Sequence, residues 1–176
     1  MTIEQASILI RSAVVLLPAT GQPASWADLG CGSGLFTEAL AGLLSEGSTL
    51  YGIDTNPQLK RQVAGNGTSI VPLPADFVKD DLPLSNLDGI LMANSLHYVQ
   101  DKPALLQRLR LYMQATAPFL IVEYDIDTPV PTWVPYPVSY ASLTRLFAGQ
   151  GHVHKLGERP SLYGRGNLYA ALVTPF

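Results

Sequence analysis

The chain has 176 residues and a formal net charge of −3, with 47% apolar and 14% charged residues. Such a composition is globular rather than disordered, and the length is that of one domain, 1–176, able to bury a core. The acidic balance, with a pI near 5.5, argues against a surface that tracks nucleic-acid phosphates. A single cysteine rules out an intrachain disulfide framework and fits a reducing compartment. The apolar run 8–17 is interrupted by Arg11 and Ser12, so it suits neither a secretory signal nor a membrane span. A cytoplasmic monomer or homodimer, with no nucleic-acid or membrane partner, is the expectation.

Thr2-Ile3-Glu4-Gln5 has the form of a capping box. Ile3, Ala6, Ile10, Val14 and Leu17 then recur at helical spacing, predicting a first helix that Pro18 and Gly21 end. Residues 24–29 form a short apolar run, a buried strand, and 35–41 open a helix, with Gly30, Gly32 and Gly34 between them. A second strand is expected over 49–54, ending on Asp54, and a short helix from Asn56-Pro57 to Val63, closed by Gly65-Asn66-Gly67. The third strand covers 68–73. The run 87–99 is a buried parallel strand that breaks into Asn94-Ser95.

A helix follows over 103–113, with Leu105, Leu106, Leu109 and Met113 on one side and Lys102, Arg108 and Arg110 on a solvated face. The fifth strand is 119–124. A proline-stiffened loop, 125–140, carries Trp133, Tyr136 and Tyr140, and a helix spans 139–148. Strands over 152–158 and 167–174, joined by a turn around Gly164-Arg165-Gly166, close the chain. The alternation predicts an α/β fold. Its form is a doubly wound, mostly parallel seven-stranded sheet with an antiparallel C-terminal hairpin strand and helices on both faces.

Three glycines on alternate positions let a ligand lie against the backbone, at a helix start whose free N–H groups favour an anionic group. The dinucleotide fingerprint Gly-x-Gly-x-x-Gly is not met, because Leu35 stands where its third glycine would be. What stands there is Asp28-Leu29-Gly30-Cys31-Gly32-Ser33-Gly34. It resembles motif I of the class I (Rossmann-like) S-adenosylmethionine-dependent methyltransferase family, at every motif position. The Asn94-Ser95-Leu96-His97-Tyr98 stretch looks like that family's fourth-strand motif in small-molecule methyltransferases, and the closing hairpin matches too, so the resemblance covers nearly the whole chain.

The resemblance implies S-adenosyl-L-methionine as cofactor. It implies binding by Asp28, Gly30, Cys31, Gly32 and Gly34, with the Asp28 position close to the cofactor's amino group. Asp54, with Thr55 beside it, lies where an acid accepts hydrogen bonds from ribose hydroxyls. Asp76 and Phe77 fit the adenine position, preferred over Asp80 and Asp81. Asn94 and Ser95 complete the set on the same sheet edge.

The acceptor is less legible, since methyl transfer from a sulfonium asks of the protein mainly alignment and exclusion of water. The Asn/Asp-Pro-Pro-aromatic signature of nucleic-acid amino-methylating enzymes is missing, and the only cysteine lies in the glycine loop, away from where a cytosine-5 enzyme needs its nucleophile. Asp125 and Asp127 alone are too little for a metal site, and none is expected. The remaining reading is methyl transfer to an oxygen, nitrogen or carbon of a small molecule held by His97, Tyr98, Trp133 and Tyr136. His97 is the candidate base, or else packs beneath the cofactor. With one helix ahead of the glycine loop, the acceptor side is expected to be open or completed by a partner. The alternative is a catalytically silent cofactor-binding module acting with a partner.

Overall fold

In the computed structural model, which describes residues 1–13, 21–161, 164 and 166–176, the capping box forms as the sequence implies. Thr2 Oγ1 accepts from the Gln5 N–H, and Gln5 Oε1 accepts from the Thr2 N–H, each at 3.2 Å. Helix α1, Ile3–Ile10, buries Ala6, Leu9 and Ile10. Ile3, assigned by spacing to the buried face, is 44% exposed at the helix start. Val14, Leu17 and Pro18 lie outside the described residues.

The strands are β1 (Ser25–Leu29), β2 (Thr49–Asp54), β3 (Gln62–Val63), β4 (Ser69–Pro74), β5 (Gly89–Ala93), β6 (Phe119–Tyr124), β7 (Gly151–Pro160) and β8 (Asn167–Pro175). They form one sheet in the order β3-β4-β2-β1-β5-β6-β8-β7. β4, β2, β1, β5 and β6 run parallel. β8 inserts antiparallel beside β6, and β7 pairs antiparallel on its outer side. The expected seven strands are all present; the eighth is β3, two residues at the edge of the sheet.

β3 replaces the helix expected over 56–63. Gln62 and Val63 pair antiparallel with Ile70 and Ser69, and the Gly67 N–H turns back to the Ala64 carbonyl. The segment before it is held open because Asp54 Oδ1 accepts from the Asn56 N–H at 3.0 Å and the Gln58 N–H donates to the Gly32 carbonyl. Backbone donors bound elsewhere leave no helical ladder to form.

Strand residues alternate between two cores, as a two-residue period requires. Trp26, Leu50, Leu91, Leu120 and Leu172 face α1 and α2 (Leu35–Ala41), whose Phe36, Ala39 and Leu40 complete that layer. Ala27, Ile90, Met92, Ile121 and Ala171 face the other side, covered by α3 (Lys102–Arg110) with Leu105, Leu106 and Leu109 and by α4 (Tyr140–Leu146) with Leu143. Asp101 caps α3, accepting from the Ala104 N–H at 3.0 Å.

The basic side chains of α3 do not make a solvated face. Arg108 donates to the Phe77 carbonyl, Arg110 to the Ala117 carbonyl, and Lys102 to those of Val99 and Tyr136. Each head caps a loop carbonyl, and the Arg110 guanidinium also lies over the Phe119 ring, 4.5 Å from its centroid. Among the described residues no helix is long and apolar enough to cross a membrane.

Candidate functional site

The strand order reverses between β1 and β5, and ligands of open parallel sheets bind outside the carboxyl ends at such a switch point. The glycine loop leaves β1 at that place, and Asn94-Ser95 leave β5 beside it. Gly30, with φ +80°, carries Ser95 directly on its face: a Cβ there would lie 2.5 Å from Ser95 Cβ. A Cβ on Gly34 would likewise collide with Leu59 Cδ2. Gly32 differs. At φ +51° it would direct a Cβ into space with no protein atom within 4 Å. A side chain at Gly30 or Gly34 would therefore collide with the protein itself, and Gly32 keeps open ground above the loop.

Asp28 lies under this loop, 1% exposed. Thr37 Oγ1, on α2, donates to its Oδ2 at 2.6 Å, while Oδ1 is buried with no hydrogen-bond partner among the described residues. Burial foremost, then the nearby Asp54 charge, push the Asp28 carboxyl up to about 7, against the lowering effect of Thr37. A buried carboxylate in this state favours a cationic group next to it. Cys31, between the glycines, has its thiol pushed up to about 12 by burial and by the charges of Asp28 and Asp54, which leaves it a small inert side chain.

Asp54, at the end of β2, accepts from the Gly32 N–H on Oδ2 at 3.0 Å and from the Asn56 N–H on Oδ1 at 3.0 Å; Thr55 Oγ1 reaches the same Oδ1 at 3.4 Å. Each carboxylate oxygen has two lone pairs, so these bonds fix the carboxylate without exhausting it. Phe77 comes close to the loop: its Cε1 would be 3.5 Å from a Cβ on Gly30. Asp76 is bound within its own turn, to the Val78 N–H at 3.0 Å and Lys79 Nζ at 2.8 Å. That hydrogen-bonded partner holds its carboxyl below the ordinary value.

Beyond β5 the backbone is strained. Asn94 takes φ +55°, a conformation an asparagine enters at some cost and that clusters at functional sites. Its Oδ1 and the Ser95 Oγ are buried without partners among the described residues. A 3₁₀ turn, Leu96–Tyr98, follows and buries His97 to 2% exposure. His97 Nδ1 is 2.6 Å from Glu123 Oε2, and the His97 backbone N–H donates to Glu123 Oε1 at 3.1 Å. Glu123, on β6, is fully buried. Glu123 thus holds His97 by both its backbone and its ring. Nε2 itself is buried and has no hydrogen-bond partner among the described residues.

His97 and Asn94 lie on the wall of a cavity of about 390 Å³. Tyr98, Tyr124 and Trp133 supply rings around it, and Ile126, Val130 and Val134 the aliphatic surface. The loop after β6 thus forms one wall. Trp133 is 67% exposed, so it does not pin this loop to the core; Val134 and Val138 do, with Tyr169 Oη donating to the Val138 carbonyl at 2.9 Å. Tyr136 is not part of the lining. Its N–H donates to the His97 carbonyl at 3.0 Å and its ring lies by Lys102.

Sequence reasoning overlooked Glu123, Leu59 and the aliphatic wall. The signal for Glu123 was available: one acid inside the run Phe119-Leu120-Ile121-Val122-Glu123-Tyr124 must find a buried partner. Among the described residues no group of histidines, cysteines and acids is placed to hold a metal ion.

A family model described as a methyltransferase domain matches residues 27–118, a span from β1 to the threshold of β6. No curated protein matches the sequence. Among solved structures, the plantazolicin methyltransferase BpumL in complex with SAH is 14% identical, with a TM-score of 0.68 over 99% of this chain and 84% of that one. The 1,6-didemethyltoxoflavin-N1-methyltransferase of Burkholderia thailandensis is 15% identical, with a TM-score of 0.65 over 98% and 77%. The N-methyltransferase NodS of Bradyrhizobium japonicum is 17% identical, with a TM-score of 0.66 over 99% and 97%. At such identities the likeness is one of fold. With the family model and the glycine loop beside it, the chain belongs to the class I S-adenosylmethionine-dependent methyltransferases.

Proposed function

We propose that the protein methylates a small-molecule acceptor in the cavity beside His97, with His97 as general base. One observation carries this reading: a buried imidazole, held at Nδ1 by Glu123 and with Nε2 unpartnered among the described residues, in the lining of an apolar cavity beyond the carboxyl ends of β5 and β6. Cavities of this kind, largely apolar with a few convergent polar groups, are the usual form of small-molecule sites. The structural neighbours include enzymes named for plantazolicin and 1,6-didemethyltoxoflavin, in line with an acceptor of that size.

The residues fit the cofactor. Open ground above Gly32 and the unpartnered Asp28 Oδ1, Asn94 Oδ1 and Ser95 Oγ offer a cradle with acceptors for an ammonium and hydroxyls. In this reading Asp28, Gly30, Cys31, Gly32 and Gly34 hold the methionyl part, and Asp54 with Thr55 the ribose. Asp76 and Phe77 hold the adenine, with Asn94 and Ser95 closing that side. When bound, S-adenosylmethionine supplies an electrophilic methyl group on a sulfonium, the hard part of the chemistry. The protein's share is to align the acceptor, exclude water and, for a hydroxyl or other weakly acidic acceptor, remove its proton. Tyr98 and Trp133 contribute ring surface; Tyr136 supports the 3₁₀ turn through the His97 carbonyl. The test is a radiolabelled-methyl assay against a small-molecule extract. Label in an extractable small molecule supports the proposal, and label that never leaves the cofactor contradicts it.

A further inference from the structure

The buried acid under the glycine loop is gripped by a hydroxyl from the helix that the loop opens. We infer that Thr37 is a positioning residue for cofactor binding: its hydroxyl clamps one oxygen of Asp28 and keeps that carboxyl a charged partner for the cofactor's amino group. The inference rests on the proposed placing of the methionyl part over Asp28.

Thr37 is the third residue of α2, in the first turn after the glycine loop. Phe36, Ala39 and Leu40 beside it are core residues, and Thr37 itself is fully buried. A hydroxyl in such a layer costs free energy unless it is bonded. A helical threonine can bond back to a carbonyl of its own helix. This one reaches across to β1 instead, donating to Asp28 Oδ2 at 2.6 Å. That length is typical of a hydroxyl donating to a charged oxygen. Branching at Cβ restricts threonine to few χ1 positions in a helix, so α2 itself sets where the hydroxyl points.

The rest of the surroundings work against a charge on Asp28. β1 pairs it with Gly52 of β2 and Leu91 of β5, and neither brings a polar side chain. Asp54, from the end of β2, is a second acid whose charge opposes ionisation. Cys31, from the loop, is held as a neutral thiol. Burial is the largest force against ionisation, and among the described groups acting on Asp28 the Thr37 hydroxyl is the one that favours the carboxylate. The other oxygen, Oδ1, is buried with no hydrogen-bond partner among the described residues. With the hydroxyl in place the carboxyl titrates at about 7. Without it the group would hold its proton at neutral pH and lose its attraction for an ammonium. The helix that opens at the loop thereby sets the charge beneath it.

The experiment follows two ligands by calorimetry from acid to mildly alkaline pH. S-adenosylhomocysteine keeps the amino group, and methylthioadenosine lacks the whole amino-acid part. The proteins are wild type, Thr37→Val and Thr37→Ala, which both remove the hydroxyl, and Thr37→Ser, which keeps it. Wild-type affinity for S-adenosylhomocysteine should rise with pH around a midpoint near 7. Without the hydroxyl the midpoint should move up by at least about one pH unit, and affinity at neutral pH should fall at least about fivefold, the gap narrowing at alkaline pH. Carbon NMR of the Asp28 carboxyl in the ligand-free protein should show the same upward move. Thr37→Ser should restore the wild-type midpoint, and methylthioadenosine should bind all four proteins alike. Equal losses for both ligands, an unmoved midpoint without the hydroxyl, or no rescue by serine overturns the positioning role. Wild-type affinity that ignores pH overturns the pairing of Asp28 with the amino group. Failure of wild type to bind either ligand overturns the cofactor site itself.

Discussion

Ser95 rests on the bare face of Gly30, so closely that a Cβ on the glycine would lie 2.5 Å from the serine's own. The contact ties the end of β5 to the glycine loop after β1 and fixes the width of the crevice between them. Gly30→Ala should therefore destabilise the fold by about 2–4 kcal/mol, from the clash together with a positive φ, as seen by denaturant unfolding. Gly32→Val should cost about 1–2 kcal/mol, since only backbone strain opposes it, yet it should abolish S-adenosylhomocysteine binding. Normal affinity in Gly32→Val would make the loop a packing turn.

Asp28 makes stability and cofactor binding depend on pH in opposite senses. Its folded value, about 7, lies above the ordinary 3.8, so the folded state holds a proton that the unfolded state has lost. Stability from this group is full at acid pH and is lost as pH rises from near 4 to about 7, on the order of 3–4 kcal/mol. Asp28→Asn should raise Tm at neutral pH and flatten that slope. A cationic group on the cofactor prefers the carboxylate, so wild-type affinity should weaken below about 7, and Asp28→Asn should bind less tightly throughout. Calorimetry in two buffers of different ionisation enthalpy checks the proton released on binding.

Asp54→Ala should weaken S-adenosylhomocysteine binding by about 1.5–3 kcal/mol, the range for hydrogen bonds to charged groups. Part of the loss comes through the Gly32 N–H, which Asp54 holds at 3.0 Å. Undiminished affinity would make Asp54 a turn residue, tied only to Asn56.

The regular elements were legible because each is announced locally. The Thr2 capping box, the buried strand 119–124 and the acid that ends β2 are all written in neighbouring residues. What was not legible depends on distance in the chain. The helix expected over 56–63 is cancelled by a hydrogen bond to the Gly32 carbonyl from Gln58 and by pairing with β4. Likewise the basic residues of α3 turn inward to carbonyls that periodicity cannot see. At the site, the family resemblance pointed to the glycines and His97 but not to Glu123, whose partner lies 26 positions away.

Trp133 should report on the acceptor and not on the fold. It lines the cavity while 67% exposed, so Trp133→Phe should leave Tm within about 1 kcal/mol equivalent. Tryptophan emission should shift when acceptor binds. No shift on saturation would remove Trp133 from the acceptor wall.

The most direct measurement is transfer of radiolabelled methyl from S-adenosylmethionine into a small-molecule extract, by wild type and His97→Gln. Wild type should label an extractable product, and His97→Gln should lower kcat by about 10²–10⁴-fold with cofactor affinity unchanged. Label confined to macromolecules, or full turnover without the imidazole, would contradict methyl transfer to a small acceptor with His97 as its base.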